Sequence, residues 1–328
     1  MQSIPFNKTG YEPFLDYIKA FAIVCVLIGH TFPYLSVIGY GLWAGMQVPL
    51  FVLVQSFHSL KKPEVKLNWP KLFWRIICPW LLVEATIFSL LGMKRGFDTS
   101  LIFEFVNGGG GPGSYFPWIY LQIAIILKFI RPMFDDGSRI KQTIVAVGIC
   151  EVFEVLCSLT NLPDWIYRVL AVRYFFLIFL AWIWVKDGIR MTKTNWTLSI
   201  LSAASIVYFE YFASDTEPFF YDTAWKFHRW PCYFYVAFLL TCLLYQLHRL
   251  FRRSIFIDRF VKTLSKCSYE IFLVQMMVCK CMPLLTISAN KYINYGFKVA
   301  LIFAVSIYGG LLFHILYNKS LNRIKVSI

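Results

Sequence analysis

Residues 14–33 read FLDYIKAFAIVCVLIGHTFP, with Asp16 and Lys19 near the start and His30 near the end. A run this long and this apolar reads as a helix that crosses a bilayer. Lys19 and His30 are eleven residues apart, about three helical turns, so their side chains leave nearly the same face. The helical rise sets them roughly 16 Å apart along the axis. Ionisable groups inside a membrane span are costly, so they face a bundle interior and mark a functional site. A plainer reading has Lys19 snorkelling to the headgroups and His30 sitting at the opposite interface. The shared face favours the first.

Composition points the same way. Of 328 residues, 58% are hydrophobic and only 15% charged, and mean hydropathy is +0.60; a soluble domain carries about 25% charge. Repeated apolar runs predict an all-α, polytopic membrane protein with about ten spans. They lie near 14–33, 38–60, 71–92, 115–131, 141–159, 165–185, 194–213, 228–248, 268–286 and 297–317. The first run continues too far for a cleavable signal peptide and is expected to remain as a helix. No repeat or soluble extension is visible, so the expectation is one membrane domain over 1–328.

The net charge of +14 does not indicate nucleic acid, because the basic residues cluster in alternate loops. Lys61, Lys62, Lys66 and Lys71 follow the second span, and Arg249, Arg252, Arg253, Arg259, Lys262 and Lys266 follow the eighth. Acidic Asp215, Glu217 and Asp222 lie after the seventh. That is the positive-inside pattern, and an even number of spans then puts both termini in the cytoplasm. Nine cysteines, mostly in apolar segments and without metal-ligand spacing, predict neither a disulfide nor a metal site.

Other spans also carry ionisable residues: Glu84, Glu151, Glu154 and Arg173. An intramembrane arginine needs a partner or a polar cavity. Glu151 or Glu154 supplies that partner, or Glu154 points into water, and Glu84 either orients His30 or pairs with a cation such as Arg173. The segment NGGGGPGSYFP, 107–117, cannot hold a lipid-exposed helix and predicts a loop at a cavity mouth. His58, His228, His248 and His314 fall near span ends and read as interfacial.

Four stretches carry a resemblance. In the first span, an acidic residue three before a basic one, an apolar run, then Gly29-His30 resembles helix one of the membrane acyltransferase 3 family, which usually has arginine at the place of Lys19. KLFWRIICPW, 71–80, is similar to the start of the family's third helix, an R-x-x-R pair before a proline. Arg75 and Pro79 match, whereas Leu72 takes the first arginine's place with Lys71 beside it. GPGSYFPWIYLQ, 111–122, resembles the opening of helix four in related polysaccharide acetyltransferases. LSKCSYEIFLVQ, 264–275, looks like a late S-Y-x-I-[YF]-L helix opening, with Gln275 where many members have histidine. There Ser265 or Ser268 is expected to cap the helix, and the stretch reads as architecture.

The resemblance implies an O-acyltransferase of the cell (inner or plasma) membrane, without the SGNH-type domain some members carry. It would move an acetyl or other acyl group from cytoplasmic acyl-CoA (acetyl-CoA) to a hydroxyl of an extracytoplasmic or lipid-linked polysaccharide. Lys19, Lys71 and Arg75 would then hold the donor's phosphates, and its pantetheine arm would reach His30. His30 would act as general base or be acylated itself, with Glu84 as its catalytic neighbour. Ser114, Tyr115, Tyr120, Gln122 and Arg173 would hold the acceptor, with Asp16 and Glu154 as orienting carboxylates. The expected partners are acyl-CoA, the glycan, the bilayer and, as a homodimer, a second copy of the chain. A glycan flippase, expected to show repeats and broken helices, and a non-catalytic scaffold are the alternatives.

Overall fold

The computed structural model describes residues 12–32, 37–62, 64–97, 99–106, 108–135, 138–188, 192–212, 235–281 and 290–323. Among the described residues every regular element is a helix. In chain order these are α1 (Phe14–Thr31), α2 (Gln47–Leu60), α3 (Trp69–Leu72), α4 (Cys78–Arg95), α5 (Thr99–Val106), α6 (Phe116–Asp135) and α7 (Arg139–Leu159). There follow α8 (Asp164–Val169), α9 (Phe175–Asp187), α10 (Lys193–Tyr211), α11 (Tyr235–Phe251), α12 (Ile255–Lys266), α13 (Ser268–Cys281) and α14 (Lys291–Arg323). Among the described residues five stretches are long and apolar enough to cross a membrane: Phe14–Thr31, Trp69–Lys94, Phe116–Phe134, Ile140–Leu159 and Tyr292–Arg323.

The centre of the bundle is α1, α2, α9 and α13. α1 packs on α2, α11, α12 and α13, while α2 packs on α6 and α9. Phe175 through Trp184 of α9 are buried without interruption. The outer helices expose apolar side chains instead, such as Ile140 and Ile144 of α7 and Leu312 and Ile315 of α14. A lipid-facing helix shows that pattern, because its surroundings are as apolar as its core.

Several expected spans are interrupted, each for a local reason. The second expected span does not begin as a helix at 38. Gly39 has φ +61°, a left-handed turn that suits glycine, and two 3₁₀ turns, Tyr40–Leu42 and Ala44–Met46, precede α2. The far end of α2 is closed by Arg131, whose Nη1 donates to the carbonyls of Leu60 and Lys62. Between α3 and α4 the chain makes a π-helical turn, Phe73–Ile77. Pro79 cannot donate a backbone hydrogen bond, and its ring crowds the preceding turn. Two carbonyls of that turn are taken from outside: Tyr317 Oη donates to Trp74 O (2.5 Å) and Tyr269 Oη to Ile76 O (2.7 Å).

The expected span 165–185 is broken, with α8 and α9 separated around Leu170–Tyr174. Gln122 bridges this break: its Nε2 donates to Val169 O (2.6 Å) and its Oε1 accepts from Ala171 N (3.0 Å). Irregular backbone at membrane depth persists only where protein satisfies it in this way. Two segments expected as loops contain helices, α5 and α12. Ser254 caps α12, its Oγ accepting from Ile257 N, and Ser265, in the last turn of α12, donates to Asp16. α12 is amphipathic, with Leu264 and Ser265 buried and Phe256, Phe260, Arg259, Lys262 and Lys266 exposed.

The acidic stretch Asp215–Asp222 and His228 lie outside the described residues. The eight cysteines among the described residues are free thiols.

Candidate functional site

A cavity of about 800 Å³ runs among α1, α2, the π turn before α4, α6, α13 and α14. Lys19 and His30 both line it. They are placed by the three helical turns of α1 between them, since an uninterrupted helix must carry both residues on one side.

One end of the cavity is strongly basic. Lys19, Lys62, Lys66, Lys71, Arg75 and Lys266 line it, and among the described residues the one carboxylate in its wall is Glu270. Glu270 is paired already, its Oε1 2.9 Å from His314 Nδ1. Arg75 sits in the π turn, one helical turn on from Lys71, and both line the cavity. Asn68 caps α3, its Oδ1 accepting from Lys71 N at 3.0 Å. Asp16 does not enter the cavity wall. Its carboxylate lies 3.3 Å from Lys19 Nζ and accepts from Ser265 Oγ at 2.5 Å. It therefore holds Lys19 from below and ties α1 to α12. Cations gathered in a partly desolvated concavity raise the local concentration of anions, so this end suits a polyanion.

At the other end stands His30, in the last turn of α1. Its Nδ1 lies 3.1 Å from Gln275 Oε1, and Gln275 is fully buried (0% exposed). Gln275 Nε2 in turn donates to Cys279 Sγ at 3.1 Å, one turn further along α13. The glycine loop closes over the ring: a Cβ placed on Gly113 would lie 3.0 Å from His30 Cε1 and 2.8 Å from Phe272. Gly113 also has φ +83°, a backbone state that favours glycine. Beneath His30, Gly29 leaves room for Tyr40 Oη and the amide of Gln47, which would lie 2.8 Å and 3.3 Å from a Cβ there. Gln47, Tyr115 and Phe116 also line the cavity, as does Tyr120, whose backbone carbonyl accepts from Gln55 Nε2 at 2.8 Å.

Gly113→Ala is expected to strain the left-handed backbone by about 1–2 kcal/mol and to press a methyl on His30. The melting temperature in detergent should fall. A variant that melts with the wild type and keeps its activity would show that the loop does not lie on the imidazole.

The other sequence candidates divide. Glu84 is buried (1% exposed) but does not reach His30. Its Oε2 accepts from Gly110 N at 2.9 Å, and Gly109 has no side chain to collide with its Oε1. Glu84 thus holds the glycine loop, with help from Glu104, whose carbonyl accepts from Gly109 N (3.2 Å) and whose carboxylate pairs with Lys280 (2.8 Å). The orienting partner of His30 is Gln275 instead. Ser114 is buried in the same loop and Gln122 serves the α8–α9 break, so neither lines the cavity.

Arg173 lies beside the cavity wall, in that break. It is 1% exposed, and its Nη2 donates to Arg168 O at 3.2 Å. Its guanidinium faces the rings of Tyr174 (4.6 Å), Tyr167 (5.1 Å) and Tyr115 (6.0 Å). Glu154, also buried, accepts from Tyr167 Oη at 2.8 Å. Arg173 and Glu154 are therefore joined through tyrosines, and Tyr115 is shared between this cluster and the cavity.

Sequence reasoning left out Gln47, read the stretch of Gln275 as architecture, and placed His58 and His314 at interfaces although both line the cavity. One signal for Gln275 was present: a polar residue within the apolar EIFLVQMMV of α13 needs a partner. His248, by contrast, stacks edge-on against Tyr17, centroids 4.9 Å apart, away from the cavity wall.

Compared with known proteins, the chain matches no family model, no curated protein and no solved structure.

Proposed function

We propose that this protein is a membrane O-acyltransferase. It passes an acetyl or similar acyl group from acyl-CoA on the cytoplasmic side to a hydroxyl of a polysaccharide or lipid-linked glycan on the other side. The observation that carries this reading is that one cavity has both cations and His30 in its wall. Acyl-CoA has matching chemistry: a multiply charged nucleotide, a slender neutral arm, and a thioester at its tip. Roughly 16 Å of helix between Lys19 and His30 is of the order of that arm.

In this reading the nucleotide's phosphates rest on Lys19, Lys71 and Arg75. The arm runs between α1 and α13, and the acceptor reaches His30 from beneath the glycine loop. Tyr115 and Tyr120 offer rings on which sugar faces stack. The ten expected spans, with both termini and the basic loops in the cytoplasm, follow the positive-inside rule. α12, with exposed phenylalanines beside arginine and lysine, lies along the inner leaflet as an interfacial helix. The short α2, α9 and α13, of 13 or 14 residues, reach only about 20 Å and complete their crossings with irregular backbone inside protein.

Donor binding tests the reading directly. Lys71→Ala and Arg75→Ala are each expected to weaken coenzyme A binding by about tenfold, or 1.4 kcal/mol. The loss should shrink at high salt, because screened charges contribute less. Calorimetric titration of the purified protein in nanodiscs measures it; a double variant that binds with wild-type affinity sinks the donor site.

A glycan flippase is the second reading, favoured by the broken α8–α9 segment, since interrupted helices mark many transporters. Mass and NMR analysis of surface glycan from cells lacking the protein separates the two. Glycan present but without acyl groups supports the transferase, and glycan missing from the surface supports the flippase.

A further inference from the structure

We infer that Gln275 is the positioning residue of the reacting centre: it holds His30 in the tautomer with hydrogen on Nδ1, leaving the Nε2 lone pair for the cavity. This rests on the acyl-transfer reading above and adds to it the atom that reacts and the residue that selects it.

The amide of Gln275 has two ends, and each is engaged. Its Nε2 donates to Cys279 Sγ at 3.1 Å, so its Oε1 faces His30 Nδ1 at 3.1 Å. A carbonyl oxygen only accepts hydrogen bonds. The nitrogen it meets must therefore carry the hydrogen, and in neutral imidazole the other nitrogen is then bare. Full burial of Gln275 makes this bond costly to break, because either group alone would be left unsatisfied. The next ring atom, Cε1, is covered by Gly113 at the 3.0 Å Cβ distance given above. With Nδ1 and Cε1 both against protein, and His30 lining the cavity, the Nε2 edge is the one turned to substrate.

The chemistry balances through this one atom. Nε2 takes the proton of the acceptor hydroxyl as that oxygen attacks the thioester carbonyl. The carbon–sulfur bond breaks, and the proton passes from Nε2 to the departing thiolate. Nδ1–H stays on Gln275 throughout, and the amide oxygen stabilises the transient imidazolium. A covalent route, in which Nε2 itself attacks the thioester, needs the same lone pair.

The test uses the full chain in nanodiscs with ¹⁵N-labelled histidine. The five histidines are resolved by their nitrogen shifts, and the His30 signal is the one lost in His30→Ala. It should show Nδ1–H in the wild type and in Gln275→Glu, and shift to Nε2–H or a mixture in Gln275→Met. With acetyl-CoA as donor, Gln275→Met should lose at least about tenfold in kcat with an unchanged KM for donor, while Gln275→Glu retains most of its rate. Nδ1 found without hydrogen in the wild type overturns the inference. So does wild-type kcat in Gln275→Met when His30→Ala is inactive. If His30→Ala transfers acyl groups at the wild-type rate, it is the acyl-transfer reading that fails, and the tautomer of the His30 signal still decides where Gln275 directs the proton.

Discussion

Replacing His30 by alanine is expected to lower acyl transfer by about 10²–10⁴-fold, the usual worth of a positioned proton-transfer group, with coenzyme A affinity unchanged. The separation of effects follows from the cavity. His30 stands at one end, near the glycine loop, and the cations that would bind the donor's phosphates stand at the other. Truncating the imidazole removes no charge from the basic end. The measurement is transfer of labelled acetyl from acetyl-CoA to glycan in membranes, together with calorimetric binding of coenzyme A. Full activity in the alanine variant, with normal expression, would falsify the enzyme reading outright. A variant that loses donor binding as well would move His30 from the reacting centre to the donor site.

Arg173→Met should cost about 3–5 kcal/mol of stability, the range for removing one member of a buried charge cluster. In a chain of this size that corresponds to a fall on the order of 10 °C in melting temperature. Methionine nearly fills the volume, so the loss is electrostatic more than a cavity effect. The guanidinium does three things at once. It donates to Arg168 O at the end of α8, faces three tyrosine rings, and supplies the positive charge opposite the buried Glu154 across Tyr167. A double variant, Arg173→Met with Glu154→Gln, should recover part of the loss, since neutralising the carboxylate removes the uncompensated charge. Thermal unfolding in detergent reads both. A single variant that melts within a degree of the wild type would show that the tyrosine cluster, and not the charge, holds the α8–α9 break.

The two residues differ in how far the chain's order of amino acids reveals them. Lys19 and His30 share a face because they share one unbroken helix, and the pitch of a helix is local physics. Gln275 stands out locally as a polar residue in an apolar run, but nothing local names its partner. It is 245 residues from His30 and meets it only because α13 packs on α1. Glu84 shows the same limit from the other side. An acidic residue in a span promised chemistry, yet tertiary placement turned it to the backbone of Gly110. Gln122, with sugar-binding chemistry on paper, is taken up by the break between α8 and α9. A polar side chain in an apolar setting advertises that it needs a partner, and not which partner.

Run length and composition were enough to determine an all-helical chain with membrane-crossing helices, because lipid admits only backbone that satisfies its own hydrogen bonds. The three-turn interval of α1 was enough to put a cation and an imidazole on one side. Where helices break was decided elsewhere: at the π turn by Tyr269 and Tyr317, and between α8 and α9 by Gln122 and Arg173. These partners come from distant stretches of the chain. Freed carbonyls and amides at membrane depth are tolerable only once such groups arrive, so the breaks, and the cavity beside them, belong to the packed bundle and to no single segment of it.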